Sequence, residues 1–357
     1  MRVAAYTGGV MVPSARARVR QYIDPLSRLG IAVREYPLPW GNILPRRRSL
    51  RPVWMATTAV SRAGALACSW KADVTWISRQ VLPAFVPLHV LAKRPIILDV
   101  DDAVWLNTGG HRARDLAQAS DLVVCGNGFL ADQFSQWNPN VTIIPTAVNT
   151  SWYRPNDIRP GDPGASVLGW TGTSGNFPFL YAIEGALLRV LQHHSRTKLL
   201  IVADRPPQFK LLPEFRVEFQ RWTPPTELAA IARMSIGLMP LADNAWCSGK
   251  CSYKMLCYMA AGLPVVVTAT GMNRELLAMG EVGLSAACEQ EWVAALTALL
   301  DDEDLRHRMG AAGRAIVEER FSLHKLARRY ASVFQSLCGE LPRDSIPSKS
   351  SIPAAMV

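Results

Sequence analysis

Val265-Val266-Val267 is an unbroken apolar run, approached through Gly262-Leu263-Pro264 and left through Thr268. A strand with one wet face alternates apolar and polar residues. A run that is apolar throughout suits a parallel strand covered on both faces, and parallel neighbours need helical crossovers. The chain follows this plan twice. Strands are expected at residues 2–6, 31–36, 74–77, 96–100, 122–125 and 142–144, then at 167–171, 198–203, 236–240 and 264–268. Helical spacing is expected over 14–29 (Val19, Ile23, Leu26 and Leu29, stopped by Gly30) and over 179–193, 226–234, 253–261, 273–279, 289–300, 304–320 and 323–337. Strand, Gly8-Gly9 turn, helix and strand make the βαβ unit that opens a doubly wound domain. The order predicts an α/β chain with Rossmann-like doubly wound domains at 1–150 and 165–322. Residues 151–164 hold Pro155, Pro160 and Pro163 without an apolar period and read as a linker. Residues 341–357, rich in Pro and Ser, read as a disordered tail.

A length of 357 residues at 49% hydrophobic content suffices for two cores of ordinary size. The net charge of +10 is uneven: residues 1–150 hold 17 Lys/Arg against 9 Asp/Glu. That asymmetry is compatible with nucleic acid, an anionic membrane surface or a phosphorylated substrate. Nucleic acid is disfavoured, because the basic residues are not interleaved with aromatics as a stacking groove requires. Seven cysteines without paired CxxC spacing argue against a disulfide framework or a zinc site and fit a reducing cytoplasm. No signal-peptide h-region is expected at the start. The most apolar stretch, 81–100, is interrupted by Pro83, Pro87, Lys93, Arg94 and Pro95, so no spanning helix is expected there.

Several segments carry candidate chemistry. A polar turn from Ser248 to Ser252 precedes a helix, so amides around Ser252, Tyr253 and Lys254 stand at a helix start, where an anion is favoured. Lys250 and Lys254 add full charges, although both could be plain solvated surface. Gly271 and Asn273 open another helix whose amides could serve the same anion, and Glu275 lies in its first turn. Gly169-Trp170-Thr171-Gly172-Thr173 follows a strand and precedes a helix; its glycines permit close backbone approach and its hydroxyls suit phosphate oxygens. Gly8, Gly9 and Arg18 follow the first strand, where ligands approach open α/β sheets. Trp222 lies in the loop before a helix and reads either as a base contact or as packing. Asp99-Val100-Asp101-Asp102 is the densest acid cluster of the first half. It reads as a metal-binding DxD, as the nucleophile and acid/base pair of a haloacid-dehalogenase phosphatase, as groups lining the ligand side of the sheet, or as a turn cap.

The segment Gly249-Lys-Cys-Ser-Tyr-Lys-Met-Leu-Cys-Tyr-Met-Ala-Ala-Gly-Leu-Pro-Val-Val-Val-Thr-Ala-Thr-Gly271 resembles the donor-site signature of GT-B glycosyltransferases, especially family 4. Pro13-Ser-Ala-Arg-Ala-Arg18, Gly169-Trp-Thr-Gly172 and Phe321-Ser322 extend the resemblance over residues 1 to about 337. It implies two Rossmann-like domains facing across a cleft, the acceptor side on 1–150 and the donor on 165–322, with 323–337 closing back onto the first domain. It implies a nucleotide-diphosphate sugar as donor substrate, no cofactor and no metal, a glycan or lipid-linked acceptor, and retention of anomeric configuration. It assigns Asp101, Asp102 and Lys254 to catalysis. Gly8, Gly9, Arg18, Gly169, Thr171, Gly172, Thr173, Trp222, Lys250, Ser252, Tyr253, Lys254, Asn273 and Glu275 are assigned to the donor. The family's two glutamates, eight positions apart, are replaced here by Gly249 and Cys257. That departure motivates the alternative of a non-catalytic sugar-nucleotide-binding or scaffold protein. A cytoplasmic protein is expected, with peripheral contact to the anionic inner membrane face through Trp40–Trp54, where Arg46, Arg47, Arg48 and Arg51 lie among Ile43, Leu44 and Leu50.

Overall fold

The computed structural model describes residues 1–10, 12–41, 45, 47–79, 92–106, 110–155 and 165–342, apart from the Cys68 side chain. Residues 156–164 of the expected linker, the tail from 343, and Ile43, Leu44 and Arg46 lie outside the described residues. The chain forms two compact units. The first joins Met1–Ala147 with Gly249–Cys251 and the segment from Leu323; the second joins Val148–Ser248 with Ser252–Ser322.

In the first unit, β1 (Arg2–Thr7), β2 (Ala32–Pro37), β3 (Val74–Ser78), β4 (Ile96–Val100), β5 (Leu122–Cys125) and β6 (Val141–Ile143) form a parallel sheet in the order β2-β1-β3-β4-β5-β6. The second unit holds β7 (Val167–Thr171), β8 (Lys198–Ala203), β9 (Val217–Arg221), β10 (Ile236–Met239), β11 (Val265–Val267) and β12 (Gly283–Ser285), parallel in the order β12-β11-β10-β7-β8-β9. In each sheet the winding reverses once, between β1 and β3 and between β7 and β10. Open α/β sheets take ligands at the carboxyl ends of strands beside such a reversal. β3, β4, β5 and β11 are buried at every position, as strands covered on both faces must be.

The first unit's core has a polar centre. Trp76 of β3 lies among Tyr330 and Phe334 of the helix Leu323–Leu337, with ring centroids 4.9 and 5.3 Å away, and Tyr22 meets Tyr330 at 4.7 Å. Within this shell the Arg18 guanidinium donates to the Asp99 carboxylate at 2.8 Å, both side chains being shut off from solvent. Arg18 also donates to the Ile144 carbonyl and to Thr146. Asp99 accepts further bonds from Trp76 Nε1 at 3.3 Å and from the Tyr330 hydroxyl at 2.5 Å. Only an ionised carboxylate, an acceptor without a proton to place, satisfies so many donors. Burial pushes the Asp99 carboxyl upward against the opposing pull of Arg18.

The structure departs from the sequence pattern in three places. The expected 14–29 helix is divided into Pro13–Arg18, a 3₁₀ turn at Arg20–Tyr22 and Ile23–Ser27. Pro25 has no N–H for the Gln21 carbonyl and its ring crowds it, which explains the break. Arg51–Ser69, where no helix is expected, is a helix of 19 residues, and Trp54 is turned inward. The edge strands β9 and β12 also form; they are short and half-buried and lack an unbroken apolar run.

Removing Asp99 leaves Arg18 charged and buried without a counter-ion, a loss of about 3–5 kcal/mol in systems where such pairs are broken. Asp99→Ala is therefore expected to lower the opening free energy of the β4 and β5 amides by that amount in native-state hydrogen exchange. Arg18→Met combined with Asp99→Leu should recover a large part of it.

Candidate functional site

The ligand-facing end of the second unit begins where β7 ends. Trp170 is fully buried in that strand, and Lys254, in the first turn of the helix Tyr253–Ala260, holds its Nζ 4.5 Å from the centre of the indole ring. Such a cation over a ring is worth about 0.5–2 kcal/mol, rising as water is excluded. It holds the ammonium at the carboxyl end of β7, beside the reversal of the winding. Gly172 completes this corner: a Cβ there would come 2.8 Å from the indole and 3.2 Å from Lys254 Nζ. The glycine thus lets the backbone approach the charged group.

Tyr258, one turn further along the helix, fixes the same strand end. Its ring lies against Gly237 of β10, where any Cβ would collide with it at 2.4 Å, and its hydroxyl accepts the Thr171 N–H at 2.8 Å. Burial pushes this phenol upward, so it stays protonated. Ser174 donates both its N–H and its hydroxyl to Asp204, at 2.6 and 2.7 Å, tying the turn after β7 to the one after β8. Burial draws the Asp204 carboxyl up, but the Ser174 bonds outweigh it, and the group lies below its ordinary value. Thr173 is exposed and accepts from Asn176 Nδ2 at 2.9 Å.

Ser252, the residue before the lysine helix, has a left-handed backbone at φ 47°, and its hydroxyl donates to Asn273 Oδ1 at 2.7 Å instead of capping its own helix. Asn273 donates in turn to the Thr268 carbonyl, and its side chain is fully buried within the unit. Gly271 adopts φ 50°, and a Cβ there would lie 2.6 Å from the Ser248 carbonyl. These bonds and the glycine lock the turns after β10 and β11 against each other. At the second helix the amides of Arg274 and Glu275 donate to the Gly271 carbonyl, and that of Asn273 to Thr270. Tyr253, Lys254, Lys250, Trp222 and Glu275 are each half-buried. The Trp222 N–H donates to the Ala203 carbonyl, which sets the loop before the helix Pro224–Arg233.

Other expected residues lie elsewhere. Gly169 is buried in β7, and its missing Cβ makes room for Met234, whose sulfur would lie 2.0 Å from a Cβ; this is packing, not ligand approach. Arg18 is fully buried in the Asp99 pair, which corrects the expectation that it contacts a donor phosphate. Asp99 is equally enclosed, which removes it as a phosphatase nucleophile. Gly8 is half-buried, and Gly9, at φ 137°, passes the Gly41 backbone so closely that a Cβ would stand 2.9 Å from Gly41 Cα. Asp101 and Asp102 both pair with Arg79, itself left-handed at φ 65°, whose N–H donates to the Asp99 carbonyl. Burial pushes the Asp102 carboxyl upward, with Arg79 and then Lys250 pulling it down.

Lys250 groups with the first unit and not with Lys254, and its carbonyl accepts from Asn127 Nδ2 at 3.1 Å. The Cys251 thiol donates to the Asp101 carbonyl at 3.2 Å. Gly249 has no room for a side chain, since a Cβ would stand 2.6 Å from that of Ala103. Cys257 is buried and faces Tyr153. Trp170, Tyr258, Asp204 and Arg79 are the contributors that sequence reasoning left unassigned. The signal for Tyr258 was its place one turn after Lys254 on the same helix face. For Arg79 and Asp204 no local pattern exists, because their partners come from other strand ends. Among the described residues no group of three His, Cys, Asp or Glu is placed to hold a metal ion.

Residues 167–302 match the family described as Glycosyl transferases group 1. No curated protein sequence matches the chain. Among solved structures, sucrose-phosphate synthase from Thermosynechococcus elongatus is similar at a TM-score of 0.75 and 15% identity, over 96% of this chain and 100% of that one. HepE of Anabaena, in complex with UDP-glucose, is similar at 0.68 and 13%, over 94% and 100%. WaaG, a glycosyltransferase involved in lipopolysaccharide biosynthesis, is similar at 0.65 and 13%, over 94% and 99%. Identities this low carry the fold alone. The chain therefore has the GT-B fold of two Rossmann-like domains, and most of its second unit is similar to the group 1 glycosyl transferases.

Proposed function

We propose that this protein transfers a sugar from a nucleotide-diphosphate sugar to an acceptor hydroxyl, with the donor held on the second unit. The observation that carries the reading is Lys254, an ammonium seated on Trp170 beside the Gly172 backbone, at the carboxyl end of β7. As the glycosidic bond breaks, negative charge grows on the leaving diphosphate. A fixed cation beside a helix start stabilises that charge without having to reorganise. Ser252, Tyr253 and Thr173 line the same strand ends and complete the diphosphate site in this reading, with Trp222 toward the base. Glu275 faces the sugar. HepE and its complex with UDP-glucose make UDP-sugars the first donors to try.

The first unit would supply the acceptor side, with Asp101 and Asp102 held in place by Arg79. The acceptor is a glycan or lipid-linked hydroxyl, the product belongs to polysaccharide biosynthesis, and retention of configuration follows the group 1 resemblance. A cytoplasmic location accords with the cysteine usage. Among the described residues no helix is long and apolar enough to cross a membrane.

A non-catalytic sugar-nucleotide binder is the second reading. It is favoured by Gly249 and Cys257, the first with no space for a carboxylate beside Ala103. Release of nucleotide diphosphate in the presence of donor and acceptor separates the two: turnover supports transfer, and binding without turnover supports the alternative.

Two outcomes test the donor site. Lys254→Ala is expected to weaken the tightest-binding sugar nucleotide about tenfold to a hundredfold in calorimetric titration, the 1.5–3 kcal/mol of a charge-assisted bond, with the circular dichroism spectrum of the parent. Binding equal to the parent's would place the diphosphate elsewhere. Transfer is also expected to persist in EDTA, because Lys254 supplies the positive charge. Loss restored by manganese or magnesium would overturn this.

A further inference from the structure

The helix Arg51–Ser69 packs on its domain through a mixed face: Trp54 and Leu66 are buried there beside Thr58, Arg62 and Ser69. Arg62 donates to the carbonyls of Tyr36 and Thr7, and burial pushes its guanidinium down to about 10. Ser69 accepts from the Tyr6 hydroxyl. Its outward face is apolar: every exposed position from 52 to 67 is Pro, Val, Ala, Thr or Gly. These positions recur at the three- and four-residue spacing of one continuous helical stripe. Val53 is 63% exposed and Val60 74%, and Trp70, capping the helix, is 60% exposed. Leu50 is also exposed just before the first turn. Arg47 and Arg48 stand exposed ahead of this stripe and Lys71 beyond it, and from Tyr36 to Ala72 there is no Asp or Glu.

We infer that the outward face of this helix docks on an anionic lipid surface, the apolar stripe entering the headgroup boundary and the flanking Arg and Lys meeting the lipid phosphates. A helix with an apolar face and basic flanks is the form that lies in such an interface, and Trp70 is the ring type that prefers that depth. The charges argue for lipid over a second copy. A two-fold interface would bring the same acid-free basic patch to both sides, with nothing to neutralise it. The apolar aliphatic stripe argues for lipid over nucleic acid, which needs stacking rings. Of the patch expected over Trp40–Trp54, Trp54 faces the core, and the proposed contact runs along the helix to Trp70.

The test uses the full chain with two kinds of vesicle at low salt, phosphatidylcholine alone and phosphatidylcholine mixed with phosphatidylglycerol. Co-sedimentation is expected with the mixed vesicles and to be much weaker with the neutral ones. Arg47→Glu or Arg48→Glu should each weaken it at least about fivefold, the contribution of one basic side chain near an anionic leaflet. Val53→Asp with Val60→Asp should abolish it while leaving the melting temperature and the nucleotide-sugar affinity of the parent, since both sites are exposed. Equal sedimentation with the two vesicle types overturns the proposal, as does parental binding by the double Asp variant. A parent that is dimeric in analytical ultracentrifugation and becomes monomeric on Val60→Asp overturns it in favour of self-association.

Discussion

Everything in the first unit is arranged around two charges that have no contact with water, Arg18 and Asp99. Taking such a pair out of water costs several kcal/mol for each ion, and mutual attraction offsets it only when the remaining hydrogen-bonding capacity is also met. That requirement draws in Trp76 from β3, Tyr330 from the last helix, and Thr146 with the Ile144 carbonyl from the chain after β6. The pair therefore acts as a registration point for three further segments. It also organises the acidic end of β4. Asp99 points inward, its carbonyl takes the Arg79 N–H, and Arg79 then reaches outward to Asp101 and Asp102. The strand thus carries a structural carboxylate within the core, and the turn that follows it carries two carboxylates held by Arg79.

The second unit relies on missing side chains more than on charge. Gly237 admits the Tyr258 ring, Gly172 admits Trp170 and Lys254, and Gly271 admits the Ser248 backbone. Each absence brings two strand ends or turns closer than an alanine would allow. The result is a rigid frame of packed rings and short hydrogen bonds on which a single ammonium is held. Precision of this kind lies in a supporting shell that never touches the ligand.

The sequence revealed what depends on continuous burial. β4, β5, β7 and β8 stand where their largely apolar runs placed them, and the parallel α/β architecture followed from those runs. It misjudged residues whose polarity runs against their burial. Arg18 has the composition of a ligand contact and the location of a core residue. The helix Arg51–Ser69 escaped because its inward face mixes Trp54 and Leu66 with Thr58, Arg62 and Ser69 while Val53 and Val60 face out, so no apolar stripe marks it. β9 escaped for a milder reason: an edge strand, half-covered, shows no apolar run. At the site, Lys254 could be singled out by its charge at a helix start. The ring beneath it could not, because Trp170 reaches that place through the pairing of β7 with β10.

The helix Leu323–Leu337 supplies Tyr330 and Phe334 to a core otherwise built from residues before 148. On a ribosome that core cannot be completed when its sheet emerges, for Tyr330 and Phe334 are synthesised only after the whole second unit. Domains usually mature in the order of translation. Here the order is inverted: the second unit can close first, while the first waits with Trp76 uncovered and Asp99 short of one donor. A chain that stops before residue 323 therefore lacks the rings that cover Trp76 and the hydroxyl that completes the shell of Asp99.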